Sequence, residues 1–133
     1  MMRAMSSKSI KGLILNSTLE CTDNTGAKEV YIISVFGHKT RKKQNPSSGI
    51  GDLVNIVVCK GKPEMKKKKF RAVIVRSKSG LKRANGTKLK FDTNACVIVD
   101  NEGVPKSTEV KGAVPREVGE RFPKIVGRAA YVV

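Results

Sequence analysis

Five runs of apolar residues set the rhythm of the chain: Leu13-Ile14-Leu15, Val30 to Phe36, Leu53 to Cys59, Ala72 to Val75 and Ala95 to Val99. Ile, Val and Leu dominate them and most are of strand length. None contains Pro46, Pro63, Pro105, Pro115 or Pro123, any of which would remove a ladder donor from an interior strand. Turn-forming stretches separate the runs: Asp23-Asn24-Thr25-Gly26, Gly49-Ile50-Gly51-Asp52, Asn85-Gly86 and Asn101-Glu102-Gly103. Short strands punctuated by turns predict a sandwich or a small barrel. Five of them in so short a chain favour the barrel, because closure removes exposed edges.

Two segments depart from this rhythm. Asn85-Gly86 is the strongest hairpin signal, since a type I′ turn needs two residues with positive φ. Its flanks, Arg76-Ser77-Lys78-Ser79 and Thr87 to Phe91, are too polar for core strands, which predicts a basic ribbon projecting from the barrel. After Gly112, Pro115 and Pro123 each stand where a helix can begin. Two short helices are expected there, packed by Val118, Phe122, Ile125 and Val126. The predicted organisation is a flexible basic arm over 1–9, a barrel with its ribbon over 10–112, and helices over 113–133 packed on the same domain. One domain with a real core is what 133 residues allow.

Charge changes this picture most. Between Lys60 and Lys90 lie thirteen basic residues: Lys60, Lys62, Lys66, Lys67, Lys68, Lys69, Arg71, Arg76, Lys78, Lys82, Arg83, Lys88 and Lys90. Glu64 is the one acid among them, so the block holds +12 of the formal net charge of +16. Such a density repels itself and becomes favourable when a polyanion replaces released counterions. The strand-like run Ala72 to Val75 interrupts it, so the charge sits on folded structure. The run Lys66 to Lys69 taken alone is compatible with a solvated face or a nuclear localisation patch. With its neighbours it makes a patch suited to nucleic-acid phosphates, and all of the block except Lys90 is assigned as candidate nucleic-acid-binding residues, with charge alone not choosing between RNA and DNA. A second basic loop, His38 to Asn45, adds Lys39, Arg41, Lys42 and Lys43.

Low aromatic content and the absence of Trp disfavour binding by base stacking. Cys21, Cys59 and Cys96 are odd in number and far apart, and each lies in or beside an apolar run, so they read as reduced core residues. A zinc site would want paired Cys/His spacing, and His38 is the single histidine. Asp23, Asp52 and Asp92 sit beside turns, and no phosphate-binding Gly-rich loop or catalytic constellation is visible. No enzyme activity, cofactor, metal or membrane partner is therefore expected. The basic Met1 to Ser9 stretch is short for a presequence and shows no clear amphipathic helix.

The residues through the basic block also resemble a known family. Ala72-Val73-Ile74-Val75 is followed after nine residues by Asn85-Gly86, then by Phe91, Asn94 and Val97-Ile98. This is similar to the signature of the universal large-subunit ribosomal protein fourteen family, called twenty-three in older eukaryotic naming. Asp23-Asn24-Thr25-Gly26-Ala27, Gly49-Ile50-Gly51-Asp52 and Arg116-Glu117 agree in order, and the resemblance covers roughly residues 10–130. Tyr31 to Val35 and Lys60 to Glu64 look like the archaeal and eukaryotic cytosolic branch. The resemblance implies a mainly β fold: a small five-stranded antiparallel β-barrel with a projecting β-ribbon and short C-terminal helices. It implies a structural constituent of the large ribosomal subunit that binds large-subunit rRNA. It also implies contact with small-subunit rRNA at an intersubunit bridge, with neighbouring ribosomal proteins, and with the anti-association initiation factor. On this chain Lys39, Arg41, Lys42 and Lys43 become subunit-interface candidates, and Thr108, Arg121 and Lys124 factor-docking candidates. The implied location is the cytoplasmic ribosome, with nucleolar or nuclear transit during assembly in a eukaryote. The alternative weighed against this reading is a dissociable RNA-binding translation factor with a barrel fold.

Overall fold

The structure, a computed structural model, describes residues 4–37 and 44–133. In chain order its elements are β1 (Lys8–Ser9), β2 (Leu13–Ile14), β3 (Thr18–Cys21), β4 (Ala27–Val35), β5 (Ser47–Ser48), β6 (Leu53–Gly61), β7 (Lys69–Arg76), β8 (Leu81–Lys82), β9 (Lys88–Leu89), β10 (Ala95–Val99), β11 (Val110–Val114), α1 (Val118–Arg121), α2 (Pro123–Gly127) and β12 (Ala129–Val132). Five strands close a barrel in the order β10-β3-β4-β6-β7. The other strands form a three-stranded sheet, β1-β8-β9, and two pairs, β11-β12 and β2-β5. The expected five-stranded barrel with two short C-terminal helices is what the chain forms.

The barrel is not wholly antiparallel. Four of its contacts are, but β10 closes against β3 in parallel, pairing Ala95 with Glu20 and Cys96 with Cys21. Parity requires this. Up-and-down alternation cannot return to its start around an odd number of strands, so one neighbouring pair must run the same way.

The burial pattern explains why the apolar runs differ. In β4 and β6 buried and accessible residues mostly alternate, with Val30, Ile32, Val54, Ile56 and Val58 facing the barrel interior. In β7 the residues Ala72 to Val75, and in β10 all five residues, are buried. Their side chains divide between two cores. Ala72, Ile74, Cys96 and Ile98 fill the barrel, while Val73, Val75, Ala95, Val97 and Val99 face a second core outside it. A continuous apolar strand is what burial on both faces demands. Ile50, Leu81, Val110, Val114, Val118, Phe122 and Ile125 complete that outer core, so the C-terminal elements and the ribbon act as its cover.

The first apolar run is not a barrel strand. Leu13 is buried, but β2 pairs with β5, and Asn16 at φ 67° then turns the chain before the barrel strand β3 begins. Strand β3 buries only Leu19 among polar neighbours, so no apolar run marks it. The short strand β12, paired in parallel with β11, likewise gave no clear signal.

The ribbon also differs from expectation. Gly86 has φ +89°, but Asn85 is not in the positive-φ region, so the turn is not type I′. Arg83 exchanges backbone bonds across to Thr87 and Gly86, and the Asn85 side chain accepts the Thr87 N–H, giving a three-residue loop with glycine at its end. The base of the ribbon is packed, while its tip, Ala84 to Lys88, is exposed. Leu81 is buried and Leu89 half-buried in the outer core, and β8 pairs with β1. The described part of the N-terminal arm makes contacts with the domain. Besides that pairing, Ser6 donates its N–H (2.8 Å) and its hydroxyl to the Glu120 carboxylate. Residues 1–3 lie outside the described residues.

Two ribbon glycines separate strain from contact. Gly80 (φ +72°) and Gly86 (φ +89°) both favour glycine by backbone conformation. A Cβ on Gly86 would meet nothing, whereas one on Gly80 would overlap the Leu89 carbonyl oxygen across the ribbon. Gly86→Ala is expected to cost about 1–2 kcal/mol in urea unfolding, the ordinary left-handed penalty. Gly80→Ala should cost distinctly more, because the clash is with backbone. Equal losses would refute the close-approach account.

Candidate nucleic-acid interface

The fold divides the basic block into three places. The first is the β6–β7 connection. Its turn is a compact, self-bonded loop: Met65 and Lys66 N–H groups bond Lys62 O, Lys67 N–H bonds Val58 O, and Val58 N–H bonds Lys68 O. Met65 packs against the barrel core and pins the loop from below. Lys67 takes a left-handed conformation, φ 63°, which costs a non-glycine residue roughly 1–2 kcal/mol. Lys60, Lys62, Lys66, Lys67, Lys68 and Lys69 are all exposed. Among the described residues only Lys60 of these has an ion-pair partner, Glu29 at 3.2 Å. An ordered loop that holds five unpaired ammonium groups is electrostatically costly without an anion.

The second place is the small sheet. Its register sets Lys8 opposite Lys82 and Lys82 opposite Lys88, all exposed. Neighbouring strands stand about 4.8 Å apart, so three ammonium-bearing side chains form one row across three strands. Like charges directly opposite destabilise a sheet, which makes the row a site suited to phosphate. Lys8 is a residue that sequence reasoning missed. Its signal was hidden because the partners lie more than seventy residues away and set its position.

The third place is the barrel flank. Arg71 lies over the Phe36 ring, 4.9 Å from its centroid. Lys78 is exposed and lines a cleft with Lys60, Lys28, Glu20, Glu29 and Asp92. Lys90 is exposed beyond β9.

Two candidates in the block point inward. Arg76 donates to the carbonyls of Lys111 and Ala113, both at 3.1 Å; burial lowers its pKa, partly opposed by Glu20. Arg83 donates to Glu117 (Nε–Oε1 2.6 Å) and to the Val133 carbonyl (2.7 Å). These guanidinium groups tie β7 and the ribbon to the C-terminal elements. Arg121 behaves similarly, donating to Gly51 O and to Asp52 at 3.1 Å. Of the factor-docking candidates, Arg121 and Lys124 meet around one small pocket with Glu102, Gly103, Phe122 and Pro123. Thr108 is exposed and does not line it. Lys39, Arg41, Lys42 and Lys43 lie outside the described residues.

The acids near turns serve the fold. Buried Asp23 accepts N–H bonds from Ile98 and Thr25 and the Thr25 hydroxyl, stitching the β3–β4 turn to β10. Asp52 accepts the Gly49 N–H and pairs with Lys11 and Arg121. The cysteines are free thiols, with Cys96 buried and the other two half-buried. The Cys21 hydrogen bond and, after it, burial push the Cys96 thiol well up, as befits a core thiol.

Glu117 is buried and carries the one carboxylate that receives Arg83, Arg116 and Ser7 together. Burial pushes its pKa up, but the hydrogen bonds and the Arg83 charge outweigh this and hold it below the ordinary 4.5. Because the folded value lies below the unfolded one, its stabilising contribution is complete above about 4.5 and is lost as pH falls through the folded value. Urea midpoints measured down an acid series should show this fall, and Glu117→Gln should flatten that limb while lowering stability at neutral pH. An unchanged acid limb in the variant would assign the fall to other carboxylates.

Comparison with known proteins adds the family. Residues 12–133 match the family model described as ribosomal protein L14p/L23e. The chain is similar to the large ribosomal subunit protein uL14 of Methanoregula boonei, 46% identical over 132 residues, 99% of this chain and all of the relative. The proteins of that name from Methanothrix thermoacetophila (46%) and Halorubrum lacusprofundi (45%) match over the same shares.

Proposed function

The chain belongs to the ribosomal protein L14p/L23e family, structural and non-enzymatic constituents of the large ribosomal subunit, and from that premise we propose that it holds large-subunit rRNA by its phosphates and shape. The observation that carries this reading is the row Lys8–Lys82–Lys88, three like charges set side by side, with no ion pair to any of them among the described residues. The β6–β7 loop supports it with Lys62, Lys66, Lys67, Lys68 and Lys69. Lysine heads suit phosphate contacts, which give affinity and register without reading sequence. The deep groove of A-form RNA hides base edges from side chains, so a rigid barrel carrying separated cationic patches selects a site by its shape. Arg76 and Arg83 belong to the scaffold that fixes those patches, not to the contact surface.

The finer contacts rest on less. Lys39, Arg41, Lys42 and Lys43 crowd four cations into five positions, which supports a reach to small-subunit rRNA at an intersubunit bridge. Lys124, exposed beside the Arg121 and Phe122 pocket, supports docking of an anti-association factor on the C-terminal face. Neighbouring ribosomal proteins are further partners. In a eukaryote, the exposed Lys66 to Lys69 run would also suit nuclear transit.

Two measurements test these roles. Affinity for large-subunit rRNA fragments, followed against salt, should fall linearly on logarithmic axes, and each lost phosphate contact should reduce the slope by about 0.7–0.9. Lys8→Glu, Lys82→Glu and Lys67→Glu should each weaken binding and flatten that slope, whereas Lys111→Glu, outside the patches, should do so least. Equal effects at all four positions would mean non-specific attraction. For docking, Lys124→Glu should weaken capture of the anti-association factor by purified subunits without loss of rRNA affinity; unchanged capture would remove Lys124 from that face.

A further inference from the structure

A cleft of about 520 Å3 opens at one end of the barrel, where the β10–β11 connection folds back over the start of β7. Its size falls within the roughly 300–1,000 Å3 of ordinary small-ligand sites. Three cations line it, Lys69, Arg71 and Lys106, together with the amides of Asn55 and Asn101 and the carboxylate of Asp100.

Each group is held in position with capacity left over. Arg71 is held over the Phe36 ring, 4.9 Å from its centroid, and among the described residues no hydrogen bond uses its donors. Asn55, directly across the sheet from Arg71, gives one N–H to Ser34 (2.7 Å), which orients the amide and leaves its oxygen open. Asp100 accepts the Glu102 and Val104 N–H groups on the same oxygen, Oδ1, at 2.9 and 3.0 Å, leaving Oδ2 available. Lys106 is parked over the Phe70 ring, 4.6 Å from its centroid. The cleft thus offers a flat cationic face, an ordered amide and an acceptor, with ammonium groups around them.

We propose that this cleft takes a single unpaired nucleotide of the RNA, its base on the open face of the Arg71 guanidinium. The amino edge of the base meets Asp100 Oδ2 and the Asn55 and Asn101 amides, and the flanking phosphates meet Lys69 and Lys106. A guanidinium plane is a stacking surface for an unstacked base, which makes up for the scarcity of aromatic platforms on this chain. The donor placed at the Asp100 carboxylate is an exocyclic amino group, which adenine, cytosine and guanine carry, so they are favoured over uracil, whose one base donor is its ring N3–H. The inference rests on the RNA-binding reading and adds one base-dependent contact to it.

The test uses the full chain and a large-subunit rRNA fragment that it binds, with abasic nucleotides placed one at a time along the fragment and affinity measured at fixed salt. One abasic position should weaken binding about tenfold. Arg71→Lys keeps the charge and removes the flat face. It should lower affinity for intact RNA to the abasic level and leave the abasic RNA almost unchanged. Asp100→Asn should erase the preference for an amino-bearing base over uracil at that position. Asn101→Ala, on an exposed loop, provides a second variant if Arg71→Lys perturbs the barrel. The pocket is overturned if no abasic position matters by more than about twofold, or if Arg71→Lys weakens intact and abasic RNA equally. A normal salt slope alongside that indifference would leave the phosphate-binding reading standing. A folded chain that binds no rRNA fragment would overturn both.

Discussion

Strands β7 and β10 are apolar on both faces, and the rest of the chain is arranged to keep both faces dry. Inside the barrel this is done by β3, β4 and β6. Outside, Val73, Val75, Val97 and Val99 would lie open to water without a cover. Each buried Val, Leu or Ile contributes roughly 1.5–3 kcal/mol relative to exposure, so an uncovered flank would forfeit much of a small domain's margin. The cover comes from pieces too short to fold alone: a two-residue-per-strand ribbon, two helices of four and five residues, and the β11-β12 pair. The apparent appendages of this fold are therefore the second wall of its core.

The two kinds of cation divide the labour around that wall. Arg76, Arg83, Arg121 and Arg128 all donate to backbone carbonyls, and two of them also grip a buried carboxylate. A planar fork with five fixed donors suits such interior bridging, because several bonds form at once with little further loss of freedom. The lysines of the block remain at the surface as strongly hydrated point charges. The acids follow the same economy: Asp23, Asp52 and Glu117 satisfy N–H groups and guanidiniums inside, which leaves the positive field outside uncancelled. The net charge itself is fixed by the counts, 27 bases against 11 acids, and the burial of three acids affects only how that charge is distributed.

The rigid scaffold gives that field a shape. The Lys8–Lys82–Lys88 row belongs to the ribbon side, the lysine loop to the β6–β7 turn, and Arg71 to the barrel flank over Phe36. Patches fixed relative to one another can discriminate a folded RNA by geometry even where no base is read. A single stacked nucleotide at the Arg71 cleft would add register to that geometry at the point where shape alone is least selective.

The sequence by itself determined where the long barrel strands lie, since the apolar runs Val30 to Phe36, Leu53 to Cys59, Ala72 to Val75 and Ala95 to Val99 mark them. It did not separate the first two, buried mainly on one face, from the last two, buried on both, because all four are apolar almost throughout. The prolines at 115 and 123 marked the helical segments, and the density of lysine marked the strongly cationic part of the chain. Only the tertiary structure decided the rest, because the deciding partners are distant in sequence. Leu19 makes a barrel strand of an otherwise polar stretch by meeting Val30, whereas Leu13 packs into the barrel core from β2, which pairs with β5 and is not a barrel strand. Lys8 becomes part of the cationic row through Lys82, and Arg83 leaves it because Glu117 and Val133 claim its guanidinium. A run of charges states only that an anion is wanted; which charges face it is settled by the carbonyls and carboxylates that the fold brings within reach of each one.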